Sequence, residues 1–192
     1  MQQFIEPSAF ILAGGKSHRF NGDKSLHPIE GKPIIARVTE ALKPIFTEIF
    51  IVSDDREKYS FLEFEVIPDI IPGLGPLGGI LTALEHAREN RIFVFGCDMP
   101  YLCAEFIQFM LSLPVTHDII VPGIKENLEP LHAIYSPACR EPIRRMINAG
   151  EKKITSFYTG MNVRIVSEQE ILPFGDPRLL FLNVNYREDL PG

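Results

Sequence analysis

The chain has no tryptophan, only three cysteines, and a deficit of positive charge, with 19 Lys and Arg against 25 Asp and Glu. Cys97, Cys103 and Cys139 form an odd set without C-x-x-C spacing, so neither a disulfide framework nor a zinc site is expected. No apolar run approaches the roughly 20 residues of a membrane span, and the first residues, Met1 to Pro7, lack a basic segment followed by a long apolar core. A cytoplasmic chain is therefore expected, with no membrane partner. The formal net charge of -6 leaves no broad basic surface, so nucleic acid is not an expected partner either. No Ser-His-Asp or Cys-His spacing is evident, and no internal repeat, low-complexity tract or linker interrupts the 192 residues. What remains is a 45% apolar chain of a length that buries a sizeable core, expected as a single domain over residues 1–192.

Short β-rich runs alternate with amphipathic stretches of helical length. Ala9 to Leu12, Glu48 to Val52, Glu65 to Ile67, Arg91 to Phe95 and Asp118 to Val121 are nearly continuous in apolar character, as buried parallel strands are. Between them Pro33 to Leu42, Leu77 to Glu89 and Ala104 to Leu113 read as helices. The alternation predicts an α/β fold with a mostly parallel sheet and helices on both faces, a Rossmann-like three-layer α/β/α arrangement. Beyond Val121 the pattern loosens: Leu131 to Tyr135, Asn162 to Val166 and Leu179 to Leu182 are expected as strands, with helical material around Pro142 to Ala149 and Ile154 to Tyr158.

The most informative segment follows the first predicted strand: Leu12-Ala13-Gly14-Gly15-Lys16-Ser17-His18-Arg19-Phe20-Asn21-Gly22-Asp23-Lys24. Gly14 and Gly15 let a polyanion approach the main chain, and Lys16, Arg19 and Lys24 concentrate cations in an acidic protein. In open α/β sheets ligands bind outside the carboxyl ends of strands, so a ligand phosphate is the expected occupant. The alternative is an ordinary charged surface turn. Gly15-Lys16-Ser17 is not the end of a Walker A loop, because Phe10 stands where that motif demands glycine, and G-x-G-x-x-G is also missing.

Asp98, in Gly96-Cys97-Asp98-Met99-Pro100, and Asp69, in Pro68-Asp69, both follow predicted strands. A carboxylate in that position is a hard oxygen ligand suited to Mg²⁺, which takes one or two such groups plus substrate phosphates and water. Taken singly, either aspartate is also an ordinary cap or turn former. Gly73 to Gly79 carries four glycines ahead of an apolar helix, either as a flexible connection or as a bare helix N-terminus at Gly78 and Gly79 that faces substrate. His27, His86 and His117 are expected as surface, and His132, alone on an apolar strand, as structural.

Leu12-Ala13-Gly14-Gly15, Arg19 and Asp23-Lys24 together resemble the signature of nucleotidyltransferases that activate sugar phosphates and related monophosphates. With Val66-Ile67-Pro68-Asp69, Gly75-Pro76-Leu77-Gly78-Gly79-Ile80, Cys97-Asp98-Met99-Pro100, Glu129-Pro130-Leu131-His132-Ala133 and Asn183-Val184-Asn185 in order, the chain resembles the molybdenum cofactor guanylyltransferase family over nearly its whole length. The resemblance implies the nucleotidyltransferase fold and transfer of GMP from GTP to the terminal phosphate of molybdopterin, with release of pyrophosphate. It implies Arg19, Lys24 and Asp98 as catalytic residues and Asp98 as the Mg²⁺ ligand. Leu12, Ala13, Gly14, Gly15, Lys24, Ser53, Asp69, Gly78 and Asp98 are implied for the nucleotide, and Asn183 and Asn185 for the acceptor. The part up to about residue 121 would hold nucleotide and the remainder the acceptor, with transient contact to other molybdenum cofactor proteins in prospect. Phe20 stands where the family commonly has Met, Asn21 where it has Gly, Ser53 where it has Asn, and Tyr186-Arg187 where it has Thr-Pro. Two alternatives stay open: a cytidylyltransferase or sugar-phosphate nucleotidyltransferase of the same fold, and a non-catalytic nucleotide-binding module.

Overall fold

The computed structural model describes residues 7–14, 24–88 and 90–184. In chain order the elements are β1 (Ser8–Leu12), β2 (Pro28–Ile29), β3 (Lys32–Pro33), α1 (Ile34–Leu42), β4 (Ile49–Val52), β5 (Glu65–Ile67), α2 (Pro76–Ala87), β6 (Ile92–Gly96) and α3 (Ala104–Ser112). They continue with β7 (Ile119–Ile124), β8 (Asn127–Leu128), β9 (His132–Tyr135), α4 (Arg140–Asn148), β10 (Val163–Val166), α5 (Glu168–Ile171) and α6 (Pro177–Leu180).

The main sheet runs in the order β10-β7-β9-β6-β1-β4-β5, with β8 paired to β7. The pairs β6·β1, β1·β4, β4·β5 and β10·β7 are parallel, and β9 lies antiparallel to both its neighbours. All five residues of β1 are buried, and they alternate between two cores: Ala9 and Ile11 face one, Phe10 and Leu12 the other. Strands covered on both faces have no polar side, which is why these runs read as continuously apolar. Helices α1 and α3 close the first core through Ile34, Ile35, Val38, Phe106, Ile107 and Met110. Helices α2 and α4 close the second through Leu77, Ile80, Leu81, Leu84 and Ile143. This is the expected three-layer α/β/α fold.

Three differences from the sequence expectation have local causes. Leu179 to Leu182 is not a strand: Asp176 caps a short helix by accepting from the Arg178 N–H at 2.9 Å, and Pro177 occupies its first turn, so α6 forms in place of extended chain. Ile154–Tyr158 is helical as expected, wound as a 3₁₀ helix. The β2–β3 hairpin turns on Glu30 and Gly31, both at positive φ (51° and 80°), the pairing that a two-residue hairpin loop requires. Helix α5 is started by a reciprocal capping box between Ser167 and Glu170.

Candidate active site at the carboxyl ends of β1 and β6

Strand order reverses at β1, with the chain passing to β4 on one side and to β6 on the other. Outside the carboxyl ends of these strands lies a cavity of about 110 Å³ whose wall includes Leu12, Gly14, Lys24, Asp69, Gly79 and Asp98. Crevices at such a switch point are where open α/β sheets bind ligands.

Asp98 stands in the turn leaving β6 and is 8% exposed. Lys24, which opens the 3₁₀ turn Lys24–Leu26, donates its ammonium to Asp98 Oδ2. A Cβ on Gly96 would fall 2.7 Å from Asp98 Oδ1, so any larger residue there would have to displace this carboxylate. The turn is held from two directions: the Cys97 N–H donates to the Leu12 carbonyl at 3.3 Å, and the Val184 N–H donates to the Asp98 carbonyl at 3.0 Å. Burial, then the neighbouring Asp98 charge, pushes the Cys97 thiol up to about 12, which makes it a packing group rather than a nucleophile.

The residues of the first loop have distinct environments. The Ala13 N–H donates to the Val52 carbonyl at 3.0 Å, continuing the β1–β4 ladder, so the nucleotide role that the resemblance implies for Ala13 does not run through its N–H. Leu12 packs with α2, where a Cβ on Gly79 would come within 3.0 Å of its Cδ1. Gly14 lies beside Asp69: a Cβ there would sit 3.6 Å from Asp69 Oδ2. Gly15 and Arg19, expected in the same loop, lie outside the described residues, as does Asn185.

Asp69 enters the cavity wall from the end of β5. Its Oδ1 accepts from Thr82 Oγ1 at 3.0 Å, and the same hydroxyl accepts from the Ile70 N–H at 3.1 Å. Burial raises the Asp69 carboxyl above its ordinary range, the Thr82 hydrogen bond opposes this and Asp54 adds to it. Ser53 is buried, and its Oγ accepts from the Asp55 N–H at 3.2 Å as a turn former after β4. Helix α2 begins at Pro76 with Gly75 as N-cap at φ 64°, and Gly79 rather than Gly78 borders the cavity. Gly78 packs on its own loop, where a Cβ would lie 2.9 Å from Leu74 Cβ.

Three further features near the site are given no role by the sequence. Tyr59, fully buried, donates its hydroxyl to the Ala13 carbonyl at 3.1 Å and lies 3.0 Å from Ser25 Oγ. Glu129 is pushed up to about 7 by burial, two residues before Leu131, which borders the cavity. Lys58 sits 4.7 Å above the Tyr59 ring, and the Cys97 sulfur lies within its electrostatic reach. The Tyr59 contacts join segments distant in sequence, Lys58 and Tyr59 are neighbours in the chain, and Glu129 belongs to the Glu129-Pro130-Leu131-His132-Ala133 stretch, where its burial is not legible.

His132 is structural. It is 1% exposed on β9 and ringed by Phe93, Phe95, Phe106 and Phe181 at centroid distances of 5.4, 5.2, 5.6 and 5.2 Å. Neither ring nitrogen has a hydrogen-bond partner, and burial drops its pKa to about 3. Asn183 lies in irregular chain after α6, not in a strand, and its Nδ2 donates to the Phe181 carbonyl at 3.3 Å. The backbone bond from Val184 nevertheless carries this segment to the turn that holds Asp98.

A doubly covered α/β sheet with a cation and a carboxylate at its switch point defines a ligand-binding α/β protein with charge placed at the crevice. Consistent with it, residues 9–165 match the MobA-like NTP transferase domain family. A protein of Pelotomaculum thermopropionicum named "Probable molybdenum cofactor guanylyltransferase" is 36% identical over 186 residues, covering 97% of this chain and 91% of its own. The "Molybdenum cofactor guanylyltransferase" of Desulfosudis oleivorans is 32% identical over 185 residues, covering 95% and 92%. Among solved structures, molybdopterin-guanine dinucleotide biosynthesis protein A from Archaeoglobus fulgidus superposes with a TM-score of 0.83 at 26% identity, covering 95% of this chain and 94% of its own. The chain belongs to the molybdenum cofactor guanylyltransferase family and is a nucleotidyltransferase.

Proposed function

We propose that the chain transfers GMP from GTP to the terminal phosphate of molybdopterin, forming the guanine dinucleotide and pyrophosphate. The observation that carries this is the Lys24–Asp98 pair in the β1/β6 crevice of a chain whose relatives bear that name. The acceptor is a phosphate monoester, whose second pKa of about 6 makes it largely dianionic at neutral pH, so no general base is required. An acceptor oxygen attacks the α-phosphorus of GTP, a new P–O bond forms, and the bond to the β-phosphate oxygen breaks as pyrophosphate leaves. What the protein must supply is alignment and relief of charge repulsion. In this scheme Lys24 and Arg19 stabilise charge on the transferring and departing phosphates, Gly14 and Gly15 allow the triphosphate close to the main chain, and Asp69, Ser53 and, in place of the expected Gly78, Gly79 contribute to the nucleotide side.

The donor set fits magnesium. Among the described residues no group of three or more His, Cys, Asp or Glu side chains is placed to hold a metal, and magnesium does not need one. Asp98 would hold it together with phosphate oxygens and water, and the ion when bound would neutralise triphosphate charge. The segment at Asn183 and Asn185, joined to the Asp98 turn through Val184, would receive the acceptor, leaving the part before about residue 121 for the nucleotide. No described helix is long and apolar enough to cross a membrane, in keeping with a cytoplasmic enzyme, and transient contact with other molybdenum cofactor proteins belongs to the same reading.

Incubation with each nucleoside triphosphate in turn, Mg²⁺ and molybdopterin, with the product weighed by mass spectrometry, tests the proposal. A guanine dinucleotide formed with stoichiometric pyrophosphate is expected. A cytosine dinucleotide, or no dinucleotide with any triphosphate, would overturn it.

A further inference from the structure

We propose that Tyr59 is a positioning residue: its hydroxyl ties the carboxyl end of β1 to the turn that carries Lys24, and so sets where the Lys24 ammonium meets Asp98. The assignment of donors follows from chemistry. The Tyr59 O–H has one proton and gives it to the Ala13 carbonyl, which can only accept. The Ser25 hydroxyl, 3.0 Å away, must therefore donate to the Tyr59 oxygen. Ser25 is 1% exposed and Tyr59 0%, so water does not compete for either bond.

The tie acts on two elements of the site at once. Ala13 is already pinned to β4 through its N–H on Val52, so the phenol braces a fixed point. Ser25 follows Lys24 directly in the same 3₁₀ turn, so bracing Ser25 braces the backbone from which the Lys24 side chain reaches Asp98. Phenylalanine would fill the same volume in this core without the cost of burying a hydroxyl, so packing alone does not account for tyrosine here. Burial raises the phenol pKa, which keeps it a permanent hydrogen-bond donor and removes it from acid–base roles. Reaction centres tolerate little displacement, and a misplacement of about 1 Å can cost on the order of 10²-fold in rate.

The activity part of the test rests on the guanylyl-transfer reading, so a second measurement is independent of it. Wild type, Tyr59→Phe, Ser25→Ala and the double variant are compared by melting curve, by kcat and KM for GTP, and by the NMR signal of the Lys24 side chain, assigned with Lys24→Arg. Each single variant is expected to melt above the assay temperature, to lose about tenfold or more in kcat with a smaller change in KM, and to shift the Lys24 signal. The double variant should lose no more than the worse single one, since both remove the same tie. Wild-type kcat in folded variants, whatever their melting temperature, would reduce Tyr59 to a core residue and overturn the proposal. Additive losses would overturn it as well. Should Tyr59→Phe fail to fold, Ser25→Ala decides on the same readouts. Should wild type transfer no GMP, the functional reading fails, and the Lys24 signal alone decides here: unshifted in the variants, it overturns the tie.

Discussion

Lys24 donates to Asp98 Oδ2 across 74 positions of sequence, joining the turn beyond the glycine-rich loop to the end of the central strand β6. The pair places opposite charges at the wall of a small cavity. Replacing Lys24 with alanine is expected to lower kcat by on the order of 10²-fold while changing KM for GTP less, because the charge acts chiefly on the transition state. Asp98→Asn should abolish transfer at any Mg²⁺ concentration with the fold retained. Steady-state rates across GTP and Mg²⁺ titrations check both; a pure KM effect would assign Lys24 to ground-state tethering alone.

Gly96 makes room for the Asp98 carboxylate, since a Cβ there would meet Oδ1 at 2.7 Å. Gly96→Ala should therefore displace Asp98 rather than unfold β6, with kcat down about tenfold or more and an unchanged far-UV circular dichroism spectrum. Restored activity in this variant at wild-type Mg²⁺ levels would mean that Asp98 has more freedom than its packing shows.

Thr82 donates to Asp69, and that bond favours the ionised carboxylate against the raising effect of burial. Removing the donor with Thr82→Val should raise the Asp69 pKa further. If the carboxylate contacts nucleotide, GTP affinity in the variant will decline at a higher pH than in wild type as pH is lowered. Calorimetric dissociation constants measured across a pH series for both proteins reveal the shift. Coincident pH profiles would remove Asp69 from nucleotide binding.

His132 links stability to acid. Its folded-state pKa is about 3 against 6.5 for the free side chain, so below 6.5 the unfolded chain binds a proton that the folded chain refuses. Stability is full above that value and falls as pH descends from 6.5 toward 3. His132→Leu should flatten this slope and, by removing two unpaired buried nitrogens, raise stability at neutral pH by about 1 kcal/mol. Urea melts at a series of pH values measure both effects.

Asn183 and Asn185 are placed toward the acceptor by proposal, supported by the Val184 bond to Asp98. Replacing both with alanine should weaken molybdopterin binding by about tenfold and leave GTP affinity near wild type, consistent with loss of one or two hydrogen bonds of about 1 kcal/mol each. Titration calorimetry with each ligand separates the outcomes; equal losses for both ligands would point to a disturbed Asp98 turn instead.

Much of this fold follows from local pattern. Ala9 to Leu12, Glu48 to Val52 and Arg91 to Phe95 announce buried strands because both faces of the sheet are covered, and the helices between them announce themselves by period. Leu179 to Leu182 misled because four apolar residues in a row do not distinguish strand from helix; the Asp176-Pro177 start decided for helix. The capping box at Ser167 and Glu170 was there to be read, and only the shortness of α5 concealed it.

The sequence by itself determined the chemical types at the site: glycines and cations in one loop, and carboxylates after strands, each with a local reason. Tertiary structure decided which of them meet. That Lys24 faces Asp98, that Thr82 holds Asp69, that Tyr59 braces Ala13 and Ser25, and that the Ala13 N–H belongs to the sheet all arise from pairing β1 with β4 and β6 and from packing helices across them. Hydrogen bonds between distant segments need a specific register and burial, and neither is encoded in the neighbours of any one residue.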